Sequence, residues 1–102
     1  MALYLIDHTH TAAKCPTHSP EMVRKLSQHL SAANAAKAGI KIVADWVNDN
    51  DHHVVLVLEA PDQPTAAKFV EPFAVVGSVT IHEGTTCADL AQHCLAAQSQ
   101  AA

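Results

Sequence analysis

Aromatic residues make up only 4% of this 102-residue chain: one Trp, one Tyr and two Phe. A core drawn from it must therefore rest on Ala, Val and Leu, which supply most of the 49% hydrophobic content. Positive charge is also scarce. Six Lys plus Arg stand against ten Asp plus Glu, for a formal charge of −4 and a pI near 6.0. That balance excludes the electrostatic footprint of a nucleic-acid or anionic-membrane binder. No apolar run approaches the roughly 20 residues of a membrane span. The opening Met-Ala-Leu-Tyr-Leu-Ile-Asp lacks the basic flank and long apolar stretch of a signal peptide. Three cysteines are an odd number, which argues against a disulfide framework. Cys87 and Cys94 lie seven apart in a predicted helix, so their Cα atoms would be about 10 Å apart, too far to be bridged. The expected location is the reducing cytoplasm. No linker, repeat or low-complexity segment divides the chain, so residues 1–102 read as one domain with a frayed tail from about residue 97.

What the chain has instead is histidine. Its eight imidazoles outnumber Lys and Arg together, so below about pH 6.5 they would reverse the net charge. Three of them fall with one thiol in residues 8–18, His-Thr-His-Thr-Ala-Ala-Lys-Cys-Pro-Thr-His. His8 and His10, two apart on a strand, project to one face. Cys15 and His18 have two residues between them, a spacing that lets a short turn present both to one ion. Imidazole plus thiolate suits Zn, Cu or Ni and suits Mg or Ca poorly.

Residues 2–9 alternate as a strand, with Leu3 and Leu5 facing one way and Tyr4, Ile6 and His8 the other. Ser19-Pro20-Glu21 is an N-cap, a first-turn proline and an acidic first turn. Met22, Leu26, Leu30 and Ala33 then recur at helical spacing as far as the C′ glycine, Gly39. Ile40–Val47 and His53–Glu59 are predicted strands joined by an Asn48–Asp51 hairpin turn. A short helix follows Pro61, carrying Ala66, Phe69, Val70 and Phe73 on one stripe and limited by Pro72. Ser78–His82 is a fourth strand. Thr86 caps a last helix whose Cys87, Leu90, Ala91 and Cys94 are expected to be core residues.

This order is βαββαβ with an extra C-terminal helix, the ferredoxin-like arrangement. Over residues 2–82 the chain resembles the small dimeric α/β-barrel proteins, and Phe73-Ala74-Val75-Val76-Gly77-Ser78-Val79 looks like their passage from second helix to fourth strand. The resemblance implies an α+β fold with a four-stranded antiparallel sheet of order 4132. It also implies a homodimer whose sheets close into a barrel, often with a cavity between sheet and helices. The superfamily includes nickel-binding proteins, cofactor-free monooxygenases, lactone isomerases and haem enzymes, so it implies no single activity. The leading His-Thr-His and Cys-Pro segment is similar to one in small uncharacterised prokaryotic proteins.

Taking strands 1 and 3 as parallel central neighbours sorts the histidines by sheet edge. His8, His10 and Glu59 fall at one edge with the Cys15–His18 loop, and His52, His53 and His82 at the other. His52 and His53 have rings on opposite faces and are expected as a polar strand end. His29 is expected to flank the helix stripe, and His93 to face solvent.

The favoured reading is a metal centre of His8, His10 and Cys15, with His18 as fourth ligand. Asp7 or Glu59 would orient the rings, and Cys87 would be a ligand from a partner chain. The function expected is that of a transition-metal sensor, buffer or carrier. The alternative is a small barrel enzyme of oxygenase or isomerase type, with Trp46 walling an apolar pocket and a His/Cys or metal-assisted site. Cys15 held as a thiolate by His10 and His18 would make the loop a redox or nucleophilic site instead. A structural module with incidental histidines is the third reading.

Overall fold

The computed structural model describes residues 2–101. Four strands, β1 (Ala2–His10), β2 (Lys41–Asn48), β3 (His53–Ala60) and β4 (Gly77–Gly84), form one antiparallel sheet of order β2-β3-β1-β4. Helices α1 (Pro20–His29), α2 (Ala32–Lys37), α3 (Gln63–Phe69) and α4 (Glu71–Val76) lie in the two crossovers, and α5 (Cys87–Ala101) follows β4. The fold is α+β and ferredoxin-like. Among the described residues, no helix is long and apolar enough to cross a membrane.

Every neighbouring strand pair is antiparallel, β1 with β3 included. Their register sets Thr9 opposite His53 and Leu3 opposite Glu59. The expectation that β1 and β3 run parallel is therefore overturned. A hairpin reverses β3 relative to β2, and β2 runs with β1 after a helical crossover, so β3 must oppose β1. His52 and His53 come to the end of the sheet that holds His10. Glu59 goes to the opposite end, and His82 pairs with Leu5 near mid-strand.

The core lies on one sheet face. Tyr4, Ile6, Leu56 and Leu58 meet Ala35, Ala66, Phe69, Val70 and Phe73 from the helices. Strand alternation leaves Leu3, Leu5, Val55, Val57 and Trp46 on the other face, where Leu5 is 41% and Trp46 50% exposed. A register shift between Ile42 and Ala44 puts Ile42 opposite Leu58 on the core face and Trp46 opposite Val55 on the open face. Trp46 therefore does not share a face with Ile42, as simple alternation would have it.

The segment expected as one helix from Ser19 to Gly39 is two. The Ser31 hydroxyl donates to the Gln28 carbonyl and accepts from Asn34 N–H, while the Asn34 amide donates to the His29 carbonyl. These local bonds replace the helical ladder at Ser31, whose N–H turns to the Gln28 carbonyl, and restart it as α2. Gly39, at φ 76°, ends α2: its N–H reaches Ala36 and that of Ile40 reaches Ala35, a Schellman closure. The last helix departs from expectation too. Residues 87–99 are exposed along their length, Cys87 and Cys94 among them, because α1 to α4 already cover the core face.

Candidate metal centre

β1 ends on the core face with His8 and His10, as its period of two requires. His8 is 2% exposed, packed edge-on to Phe73 with ring centroids 5.0 Å apart. Its two ring nitrogens are both engaged. Nδ1 lies 3.0 Å from the Ser78 carbonyl oxygen, and Nε2 lies 3.0 Å from His10 Nδ1.

These two bonds fix the tautomers. A carbonyl only accepts, so His8 Nδ1 carries the proton and donates it. Burial pushes the His8 imidazole below its ordinary value against the opposing pull of the Ser78 bond, with the nearby His10 and His53 adding to the lowering. The ring is neutral, and its Nε2 is an acceptor. His10 Nδ1 must therefore donate to it. Burial, with His52 adjacent, lowers His10 as well. A neutral His10 protonated at Nδ1 has its free lone pair on Nε2, and that atom is buried with no hydrogen-bond partner.

Two further donors converge there. Cys15 sits between two short 3-10 turns, Ala12–Lys14 and Pro16–His18, and is buried at 6% exposure with Sγ 2.9 Å from the Thr17 hydroxyl. His52 closes the β2–β3 hairpin in the left-handed region at φ 51°, a conformation that non-glycine residues rarely adopt. Its carbonyl accepts from the His10 backbone N–H at 3.2 Å, and its ring centroid stands 5.2 Å from that of His10. His52 Nδ1 is the second buried nitrogen without a partner. His10, Cys15 and His52 each offer one donor atom, all within 4.8 Å of one another. Two unpartnered buried nitrogens beside a thiol are costly unless something binds them.

The remaining candidates lie elsewhere. His18 is exposed and donates from Nε2 to the Ala12 carbonyl at 3.1 Å. Asp7 faces the open side of the sheet and takes a 2.6 Å bond from His53 Nε2; Trp46 is edge-on to that ring at 5.2 Å and is also among the residues that line the cavity beside the cluster. Glu59 is at the far end of β3, and Cys87 is on the exposed α5. His29 is a structural clamp, stacked on Phe69 and donating to its carbonyl at 2.6 Å. Sequence reasoning separated His52 from His10. The antiparallel register, which the element order already requires, is the signal that joins them.

The cluster lines a cavity of about 460 Å³ whose apolar walls include Val23, Leu26, Leu30, Val54, Leu56 and Phe73. That volume falls in the range of small-molecule sites, roughly 300–1,000 Å³. Besides the histidines, its only ionisable lining groups are Cys15 and the exposed Asp45 and Asp49; no Lys or Arg contributes. Imidazole and thiol are the donor types that Zn, Cu and Ni favour.

Fold and cluster together define a ferredoxin-like α+β domain with a buried His/Cys group on the wall of a sheet–helix cavity. Residues 3–98 match the family described as "Domain of unknown function (DUF3303)", and the chain belongs to that family. It is similar to a solved structure described as the crystal structure of an antibiotic biosynthesis monooxygenase. That match has 13% identity and a TM-score of 0.52, and covers 84% of this chain and 98% of the other; at this identity the likeness is one of fold alone. No curated protein matches the sequence.

Proposed function

We propose that the protein binds one first-row transition-metal ion through His10 Nε2, Cys15 Sγ and His52, as a sensor, buffer or carrier. The observations that carry this reading are the buried, unpartnered nitrogens on His10 and His52 and the fact that each of these residues brings a donor atom within 4.8 Å of the Cys15 thiol. His8 stands behind His10 and orients it, in place of the carboxylate that commonly does so. Zn, Cu and Ni all suit two imidazoles and a thiolate, and availability in the cell selects among them. The donor set needs Cys15 reduced, which supports a cytoplasmic location.

The enzyme reading draws on a different observation, the apolar cavity against the cluster. Three protein ligands leave a fourth position open, the arrangement of catalytic zinc sites. The open sheet face, with Leu5 and Trp46 exposed, supports a homodimer formed sheet to sheet.

Elemental analysis of untagged protein tests the metal reading. Wild type and His18→Ala should carry about one metal per chain, and Cys15→Ser and His52→Ala far less. Equal metal in all four, or none in any, would falsify it.

A further inference from the structure

We infer that the open coordination position beside His10, Cys15 and His52 takes an uncharged, apolar small molecule through a single neutral nitrogen donor. This rests on the metal reading above and adds the chemical class of the ligand.

Three features of the cavity point to that class. His10, Cys15 and His52 all line it, so an open position on an ion held by these three would be reached from the cavity. Leu26, Leu30, Val54, Leu56 and Phe73 form the apolar part of its wall, with the polar Thr17, Ser27 and Asn48 also lining it, and the whole cavity holds about 460 Å³. That is far more room than a water or a diatomic ligand needs, and burying an apolar body there gains roughly 25 cal/mol per Å² removed from water.

Charge settles the donor. A divalent ion with one thiolate keeps one positive charge, which by itself would favour an anion. The carboxylates Asp45 and Asp49 line the same cavity and oppose that pull, weakened by solvent screening at their exposed positions, and no Lys or Arg lines it to receive a carboxylate, sulfonate or phosphate. An anion therefore meets two carboxylates and no cationic side chain on the cavity wall, where Thr17, Ser27 and Asn48 are polar but uncharged. A neutral nitrogen is a borderline donor matched to a borderline ion, and it brings no charge into the apolar part of the cavity.

Cobalt(II) as the bound ion makes this visible, since a thiolate-to-cobalt absorption band reports the site before any ligand is added. Protein loaded with one cobalt per chain would be titrated with 4-phenylimidazole, imidazole and phenylacetate at pH 7.5. We expect 4-phenylimidazole to shift the cobalt spectrum with at least tenfold tighter affinity than imidazole, and phenylacetate to leave it unchanged. Val23→Trp, a substitution at a half-exposed helix position on the cavity wall, should keep the cobalt band and imidazole binding. It should remove the advantage of the phenyl group. Equal affinities for the two imidazoles, binding of phenylacetate, or an unaltered preference in Val23→Trp would overturn the ligand inference while leaving the metal reading in place. No thiolate band on adding cobalt would overturn both.

Discussion

Replacing His8 separates a ligand from the residue that orients a ligand. The His8 ring is 2% exposed and joins the Ser78 carbonyl to His10 Nδ1 through two 3.0 Å bonds. His8→Leu removes a donor and an acceptor together and strands a partner at each end. Each stranded buried group costs about 1–3 kcal/mol, and the added apolar burial of Leu returns roughly 1.5 kcal/mol. The apo fold should therefore lose about 0.5–4.5 kcal/mol. The metal site loses less than a ligand but more than nothing. Without an acceptor at Nδ1, His10 is free to rotate or to move its proton to Nε2, which blocks the lone pair. Removing such an orienting partner costs typically 10–100-fold in metal affinity, or about 1.4–2.8 kcal/mol. His8→Gln keeps one donor and one acceptor on the same side chain and should recover most of the loss. Competition against a chromogenic zinc chelator at pH 7.5 reads the affinities, and urea unfolding reads the stability. Wild-type affinity in His8→Leu would refute the tautomer chain. A loss as deep as that of His52→Ala would make His8 a direct ligand and refute it equally.

Burial lowers His8 and His10 below the ordinary imidazole value, about 6.5. As pH falls through that value the unfolded chain takes up protons before the folded one, so stability declines with falling pH until the folded rings also protonate. The urea midpoint should accordingly be lower at pH 5.5 than at pH 7.5, and a higher midpoint at pH 5.5 would contradict the assignment of both rings as neutral. Gly77→Ala would bring a Cβ to 2.1 Å from the Thr9 carbonyl and 2.9 Å from His10 Cα, forcing β4 off the end of β1. An overpacked site of this kind costs about 1–3 kcal/mol, and the displaced His10 should weaken metal uptake; unchanged stability and affinity would show that the strands part freely there. Leu5→Glu with Trp46→Glu puts two charges on the open sheet face. It should give a monomer by sedimentation while metal content stays constant, and a persistent dimer would place the interface elsewhere.

The alternation of β1 puts His8 and His10 on one face, and the βαββαβ order resembles a fold whose sheet order is 4132. The first is legible from local pattern and the second through that resemblance. His52 was not, because its place depends on strand direction. Read as parallel, β1 and β3 separate His52 from His10 by the length of the sheet; read as antiparallel, they bring the two together. The φ of 51° at His52, which goes with its place beside His10, has no mark in the sequence, where His52 reads as the polar start of a strand. Cys87 and Cys94 read as core from a helical stripe, yet a stripe says only which residues would pack if the helix met a surface. With one sheet face covered by α1 to α4, α5 meets none and both thiols are exposed. The break at Ser31 was hidden for a related reason: serine tolerates a helix, and only its bonds to Gln28 and Asn34 show that it interrupts this one.

X-ray absorption at the metal edge of zinc-loaded protein addresses the donor set most directly. The expected shell is one sulfur near 2.3 Å with two imidazole nitrogens near 2.0–2.1 Å, and the sulfur contribution should vanish in Cys15→Ser. A shell of nitrogen and oxygen alone in the wild type would contradict a centre built on His10, Cys15 and His52.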